Sequence, residues 1–268
     1  MNRTSRPTRV LAPVLVAGAL LATASCSAGT ESRASAPASP AAKQSAYPSA
    51  TPALTGSGAR AALITEADLE GDWTQVNNAA RWRDQLLVGK VDVAAFLNAK
   101  STAAECQQLL DSLYSDTLLG RPPGASALTG FSWGDYRLLY QVGDYGRASL
   151  DKSLDWIKSL PQKCDQFTAT AADGSERTVQ VVELPLPQAG DARQGVTVTV
   201  QGTAAGDPVT INLDVAAVRV GASAATVTNG GPSGTDHPST EDAVEAGAHR
   251  LKDVLAGKTP TANPSLFD

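Results

Sequence analysis

The chain has few of the residues that build enzyme active sites. It has two histidines, three cysteines and one methionine among 268 residues. His237 lies in a Gly/Pro/Ser-rich loop and His249 in an alanine-rich segment, and neither has a catalytic or metal-binding motif around it. We therefore expect both to be solvated surface residues. No G-x-S-x-G elbow, H-E-x-x-H helix or phosphate-binding loop after a strand occurs either. The sequence thus predicts no enzyme, no metal and no other cofactor; a hydrolase built on a hidden carboxylate pair is the alternative.

Positive charge is also scarce. The chain carries 22 Lys and Arg against 27 Asp and Glu, a net charge of −5. An acidic protein repels phosphate backbones and anionic lipid headgroups. We therefore expect no nucleic-acid partner and no attachment to a membrane through a basic patch.

The first 26 residues predict export. Arg3, Arg6 and Arg9 precede the uncharged run VLAPVLVAGALLA at 10–22, and small residues lead from there to Cys26. A basic start, an apolar run of this length and a small-residue exit are typical of a secretory signal. The run is shorter than the roughly 20 apolar residues that a bilayer-spanning helix needs.

Two cleavage sites overlap at the end of this signal. Ala22-Thr23-Ala24 is an A-x-A site, and its use would release a soluble protein. Thr23-Ala24-Ser25-Cys26 resembles a bacterial lipobox, although Thr23 stands where lipoboxes usually have Leu, Val or Ile. A diacylated cysteine supplies two chains, which suffice for stable anchoring. We predict a lipoprotein signal peptide over 1–25, lipid on Cys26, and a place on the extracytoplasmic face of the cell membrane.

The cysteine count favours lipidation. An odd cysteine in an oxidising compartment needs an explanation. A disulfide between Cys106 and Cys164 would leave Cys26 over, at the position where the lipid is attached; two buried free thiols are the alternative. The three cysteines are far apart in sequence, and this spacing is unlike that of a zinc site.

The remaining sequence divides into three parts. Residues 26–58 are rich in Ser, Ala, Pro and Thr, and such a segment buries too little apolar area to offset its ordering entropy. We predict a disordered tether there, a single folded domain over 59–257 and a flexible tail over 258–268.

Hydrophobic periodicity predicts an α+β domain with a central antiparallel sheet packed by about three amphipathic helices. The helices are expected at 100–118, at 147–160 with Pro161 ending the helix, and at about 240–256, besides a short one opened by a Thr65–Asp68 capping box. Alternation predicts strands at 178–186, 195–201 and 209–220, with 224–228 as a weaker candidate, one or two strands over 125–146, and one buried sheet face. Residues 229–239 are predicted to be a flexible loop.

Aromatic residues form only 5% of the chain, yet they concentrate in two stretches. Large aromatic groups with polar tips line ligand clefts, although they also fill cores. The candidates for a cleft are Trp73, Trp82, Trp133, Tyr136 and Tyr140. Such a cleft would bind a small molecule or a peptide. The alternative is that this protein has no small-molecule cavity and binds another protein of the cell envelope through an exposed apolar patch.

Four segments, in this order, resemble the actinobacterial lipoproteins that carry the extracellular sensor domain of PknH-type receptor kinases. They are ALITEADLEGDW at 62–73, AECQQLLDSLY at 104–114, SLDWIKSLPQKCDQF at 153–167 and VRVG at 218–221. The resemblance spans about 62–256. It implies an α+β domain with a concave cleft and a ligand-sensing role without catalysis, in which any signal passes through a partner.

Overall fold

The computed structural model describes residues 53–261. The predicted signal peptide, Cys26, most of the predicted tether and the end of the tail lie outside this range. Among the described residues, no helix is both long and apolar enough to span a bilayer.

Helices and strands alternate in short groups along the described chain. The α-helices are α1 (Gly56–Ala61), α2 (Trp82–Gln85), α3 (Val93–Leu97), α4 (Ala104–Ser112), α5 (Arg147–Lys163) and α6 (His237–Leu255). The strands are β1 (Thr74–Gln75), β2 (Leu87–Val88), β3 (Val91–Asp92), β4 (Ala99–Lys100), β5 (Ser126–Trp133), β6 (Tyr136–Asp144), β7 (Gln166–Ala171), β8 (Glu176–Glu183), β9 (Ala192–Ala204), β10 (Asp207–Val220) and β11 (Ser223–Gly231). Single 3-10 turns occupy Glu66–Asp68 and Ala79–Arg81.

Nine strands form one antiparallel sheet in the order β1-β5-β6-β11-β10-β9-β8-β7-β4, and β2 and β3 pair separately. From β7 to β11 each strand pairs with the next along the chain, and β11 then pairs with β6. The predicted α+β class with a central antiparallel sheet is confirmed.

Two hydrophobic clusters lie on opposite faces of this sheet. The first cluster contains the apolar residues of α4 and α5, and the second contains those of α1 and α6. Strand β10 contributes to both because its side chains alternate between the faces: Val215 and Ala217 belong to the first cluster, Ala216 and Val218 to the second.

The prediction of one buried sheet face is therefore wrong for the middle of the sheet. Helix α6 packs on β10 and β11 and α1 packs on β5 and β6, so these strands are buried on both faces. Strands β7 and β8 keep the predicted pattern, with every second residue exposed, and in most of β9 every second residue is half-buried or exposed.

Four other elements differ from the sequence prediction. The helix expected at 100–118 covers only Ala104–Ser112, because β4 ends at Lys100 and turns follow Ser112. The weak candidate at 224–228 is the centre of β11, which is buried throughout; its residues are small, so its apolar signal is faint. Strand β7 was not predicted at all. The predicted flexible loop shrinks to the few residues between β11 and α6, because its ends belong to those elements.

Helix α5 continues past the predicted end at residue 160. Pro161 lies in its last turn, where the missing N–H removes one intrahelical hydrogen bond and leaves the turn otherwise intact. The amide of Cys164 closes that turn on the carbonyl oxygen of Leu160 at 2.7 Å. One apolar stripe of α5 is buried, as the periodicity predicted.

The start of the domain also differs from the predicted boundary. Leu54 is 5% exposed, and α1 packs against α6. Leu54 and the first residues of α1 nevertheless lie within the predicted tether. The segment that follows is fixed to α6 through Asp68, whose buried carboxylate accepts hydrogen bonds from the amide and hydroxyl of Thr65 and from Arg250. The predicted Thr65–Asp68 capping interaction is present, around a 3-10 turn.

A disulfide joins Cys106 in α4 to Cys164 at the end of α5, with the two Cα atoms 5.7 Å apart. This confirms the predicted pair. Both cysteines are buried in the first cluster. The bond closes a 58-residue separation in sequence and ties the two helices on one sheet face together.

We expect the double substitution Cys106→Ala/Cys164→Ala to lower the free energy of unfolding by about 2–4 kcal/mol, because the cross-link restricts the unfolded chain. Urea denaturation followed by circular dichroism measures this. Wild type kept in reductant serves as the control and should lose a similar amount. Equal midpoints for wild type and variant would show that the disulfide adds no stability.

Candidate functional site

A buried carboxylate lies where α6 begins. Asp214 is fully buried on β10, on the face that α6 covers. Its carboxylate accepts hydrogen bonds from the hydroxyls of Thr197 at 2.9 Å and Thr240 at 3.2 Å, and contacts Nδ1 of His237 at 2.5 Å. Burial raises the pKa of Asp214, and these three hydrogen-bonding partners oppose that rise.

The neighbouring strand extends this polar network. Asn229 on β11 lies opposite Asp214 in the register. Its side-chain amide donates to the carbonyl oxygen of Asp236 at 2.8 Å and to the hydroxyl of Thr240 at 3.0 Å. The hydroxyl of Ser239 bonds the carboxylate of Asp236 and accepts from the indole N–H of Trp73 at 2.9 Å. The first turn of α6 is thus fixed to two central strands and to Trp73.

His237 is exposed, as expected, but the sequence did not predict that it has a buried partner. Its side chain is 51% exposed, but Nδ1 contacts a carboxylate with no exposure, and Nε2 lies 3.3 Å from the hydroxyl of Thr235. Asp214 is the sequence signal that could have revealed this, because a carboxylate inside an apolar strand needs a buried partner. His249 is exposed, as expected.

Three of the five candidate aromatic residues lie side by side. The ring centroids of Trp73 and Trp133 are 5.9 Å apart, and those of Trp133 and Tyr136 are 5.9 Å apart. We call these three residues the aromatic row. Trp73 is buried, Tyr136 is half-buried, and Trp133, at the turn between β5 and β6, is 36% exposed.

The other two candidates lie elsewhere. Trp82 packs against the first cluster, edge-on to Tyr114 with centroids 5.9 Å apart. Tyr140 is fully buried in the second cluster, and burial raises the pKa of its hydroxyl. A cleft made by all five residues is therefore not what the structure forms.

A cavity of about 430 Å³ lies at the other end of α6. It is formed between α6 and the residues around β9 and β10, and is lined by Gln188, Ala189, Gly190, Asp191, Val220, Glu245, Ala248, His249 and Lys252. The four α6 residues share one helix face because they are three or four positions apart. None of the five candidate aromatic residues is among its lining residues.

The wall of this cavity opposite α6 is held in place by backbone contacts. Gly190 has a φ of +63°, and a Cβ atom there would lie 2.5 Å from the carbonyl oxygen of Arg219. The carboxylate of Asp191 accepts from the amide of Gly221 at 2.8 Å. A side chain at position 190 would therefore push this wall away from β10.

Charge is unevenly distributed along α6. Burial, together with the nearby carboxylates of Glu70, Glu245 and Asp236, raises the pKa of Asp242 to about 6. Asp242 and Glu245 lie in the first half of the helix and make it acidic. Lys252 lies two turns after Glu245, on the side of the helix that faces the cavity. Among residues 53–261, no group of three or more His, Cys, Asp or Glu side chains is placed to hold a metal.

Comparisons with known proteins give a distant likeness. No protein-family model matches the chain, and no curated protein matches it. The structure is similar to the crystal structure of the extracellular domain of PknH from Mycobacterium tuberculosis, with a TM-score of 0.41 and 11% sequence identity, over 78% of this chain and 100% of that chain. This is a distant structural relation, and no role is transferred from it.

We expect His237→Ala to destabilise the protein by about 2 kcal/mol near neutral pH, because it leaves the buried carboxylate of Asp214 without its closest partner. Losing the imidazole raises the pKa of Asp214 further. When the pKa of a carboxyl is raised in the folded protein, stability is lost as pH rises through that pKa, so the deficit should be larger at neutral pH than at about pH 4, the ordinary pKa of Asp.

Urea denaturation of wild type and variant at both pH values measures this deficit. His249→Ala is the matched control, since it removes the exposed histidine, and it should leave stability within about 0.5 kcal/mol of wild type. A His237→Ala variant as stable as His249→Ala at both pH values would show that the contact with Asp214 contributes nothing.

Proposed function

We propose that this protein is an exported lipoprotein, anchored through Cys26 to the extracytoplasmic face of the cell membrane, whose folded domain is a non-catalytic ligand-binding or sensor module. The observation that carries the anchor is the pairing of Cys106 with Cys164. The chain has three cysteines, so this pairing leaves Cys26, at the end of the apolar N-terminal run, for acylation.

The cavity on α6 supports the binding role. Its volume falls within the roughly 300–1,000 Å³ that small-molecule sites occupy. Asp191 and Glu245 give the lining two negative charges and Lys252 gives it one positive charge, with Gln188 and His249 as further hydrogen-bonding groups. A polar small molecule or a short peptide that carries both charges fits this lining.

The contact between His237 and Asp214 is assigned a structural role. A histidine held by a buried carboxylate with a hydroxyl at its other nitrogen is also how acid–base dyads are built. Here the same carboxylate bonds Thr240 and Thr197, and its partners fix the first turn of α6 to β9 and β10. Fixing the helix accounts for the whole arrangement, so the proposed module needs no catalytic step.

A second candidate is an envelope lipoprotein that binds another protein. Trp133 favours it, because this large side chain is 36% exposed beside the rest of the aromatic row. Partly exposed tryptophans with well-packed neighbours are common anchors of protein interfaces. In this case Trp133→Ala would abolish capture of the partner and leave the cavity unaffected.

Expression of the full chain in an actinobacterial host tests the anchor. We expect the mature protein to begin at Cys26 and to carry a diacylglyceryl mass that persists under denaturing mass spectrometry. Cys26→Ser should release the protein from the membrane fraction. A wild-type chain that begins at Ser25 and carries no lipid would contradict the anchor.

Native mass spectrometry of the same preparation tests the cavity. We expect a non-covalent ligand that leaves on denaturation, and we expect Lys252→Glu to reduce its occupancy at least tenfold by reversing the charge in the lining. Lys90→Glu, an equal charge change in the exposed turn between β2 and β3, is the control. An empty wild-type protein, or equal occupancy in both variants, would count against the binding module.

A further inference from the structure

One half of the sheet face that α6 covers stays open. Helices α1 and α6 cover this side over β5, β6, β10 and β11. On this side of β8, Thr178, Gln180 and Val182 are exposed; on β9, Gln201 is exposed and Thr199 is half-buried. The opposite side of the same strands is buried, and its valines pack in the first cluster with α5.

The exposed residues form rows across four strands. In the register, Thr168 of β7 lies beside Thr178 of β8, Thr178 beside Gln201 of β9, and Gln201 beside Thr210 of β10. In a second row, Gln180 lies between Gln166 of β7 and half-buried Thr199 of β9, and the hydroxyl of Thr199 donates to the side-chain oxygen of Asn212 at 2.8 Å. We call these two rows the polar face.

The spacing of the polar face is fixed by the sheet. Neighbouring members of a row are about 4.8 Å apart, and the two rows lie about 7 Å from one another. Threonine has a stiff χ1, and the strands hold the backbone, so little side-chain entropy is lost when a partner binds. The surface is therefore a preorganised array of hydrogen-bonding groups.

The chemistry of the array selects its partner. Hydroxyls and primary amides both donate and accept hydrogen bonds, and no member of either row is charged. A polyanion would require Lys or Arg in the rows, and a basic peptide would require carboxylates. Glu176, at the start of β8, lies at the rim and adds to the repulsion of anions. An apolar partner would leave the hydroxyls and amides unsatisfied.

We propose that the polar face binds a neutral glycan chain that lies across β7 to β10, with sugar hydroxyls bonded to the threonine and glutamine side chains. Such a glycan is a neutral polymer rich in hydroxyl groups, and the polar face is a neutral surface of hydrogen-bonding side chains. This site is separate from the cavity on α6 and does not depend on what that cavity binds.

Co-sedimentation of the full chain with insoluble neutral polysaccharides, amorphous cellulose and chitin, tests the proposal. We expect wild type to sediment with at least one of them. Gln180→Glu/Gln201→Glu should reduce the bound fraction at least tenfold, because it removes two amide donors and places two negative charges on the polar face without a change of shape. Thr178→Val/Thr210→Val should also weaken binding, since it removes hydroxyls at constant volume.

The charge-matched control is Gln108→Glu/Gln162→Glu, which makes the same change on exposed positions of α4 and α5. It should bind like wild type, and all variants should keep the wild-type Tm. The proposal is overturned if wild type stays in solution with both polysaccharides, or if the polar-face variants and the control bind equally. It is also overturned if the polar-face substitutions abolish self-association in light scattering, which would make a second copy the occupant.

Discussion

The architecture depends on the hydrogen bonds between Asp214 and the first turn of α6. A buried carboxylate inside a sheet is costly unless hydrogen-bonding partners surround it. His237 and Thr240 from α6 are two of the three partners of Asp214. These contacts fix where the helix begins on the sheet. Asp68 and Arg250 hold the same helix near its other end. Since α6 is fixed at both ends, the area of sheet that it covers is fixed as well.

The two candidate binding surfaces follow from that placement. The second half of α6 meets the residues beside β9 and β10 without filling the space between them, and the cavity is what remains. On the far side of Asp214 the helix covers nothing, and the same sheet face changes from Ala and Val to Thr and Gln. The sequence of β10 shows the change within one strand: Ala216 and Val218 lie under α6, whereas Thr210 is exposed.

The sequence predicted those parts of the fold that periodicity encodes. The α4 and α5 stripes and the strands β8 to β10 are local signals, whereas the pairing of Cys106 with Cys164 followed from the cysteine count. Strand β11 was underestimated because its small residues pack without a strong apolar pattern. Which residue becomes the partner of Asp214 depends on how α6 is placed on the sheet. The spacing of residues in the sequence does not indicate that placement. Composition also could not show that Trp82 and Tyr140 lie apart from the aromatic row.

The contact between Asp214 and the start of α6 is tested most directly by the tautomer of His237. Long-range proton–nitrogen NMR correlations report this tautomer at a pH high enough for the imidazole to be neutral. Donation to Asp214 requires the proton on Nδ1, whereas exposed His249 should show the tautomer mixture of a free imidazole. We expect a single Nδ1–H tautomer for His237 that is lost in Asp214→Asn. A His237 spectrum that matches that of His249 in the wild type would contradict it.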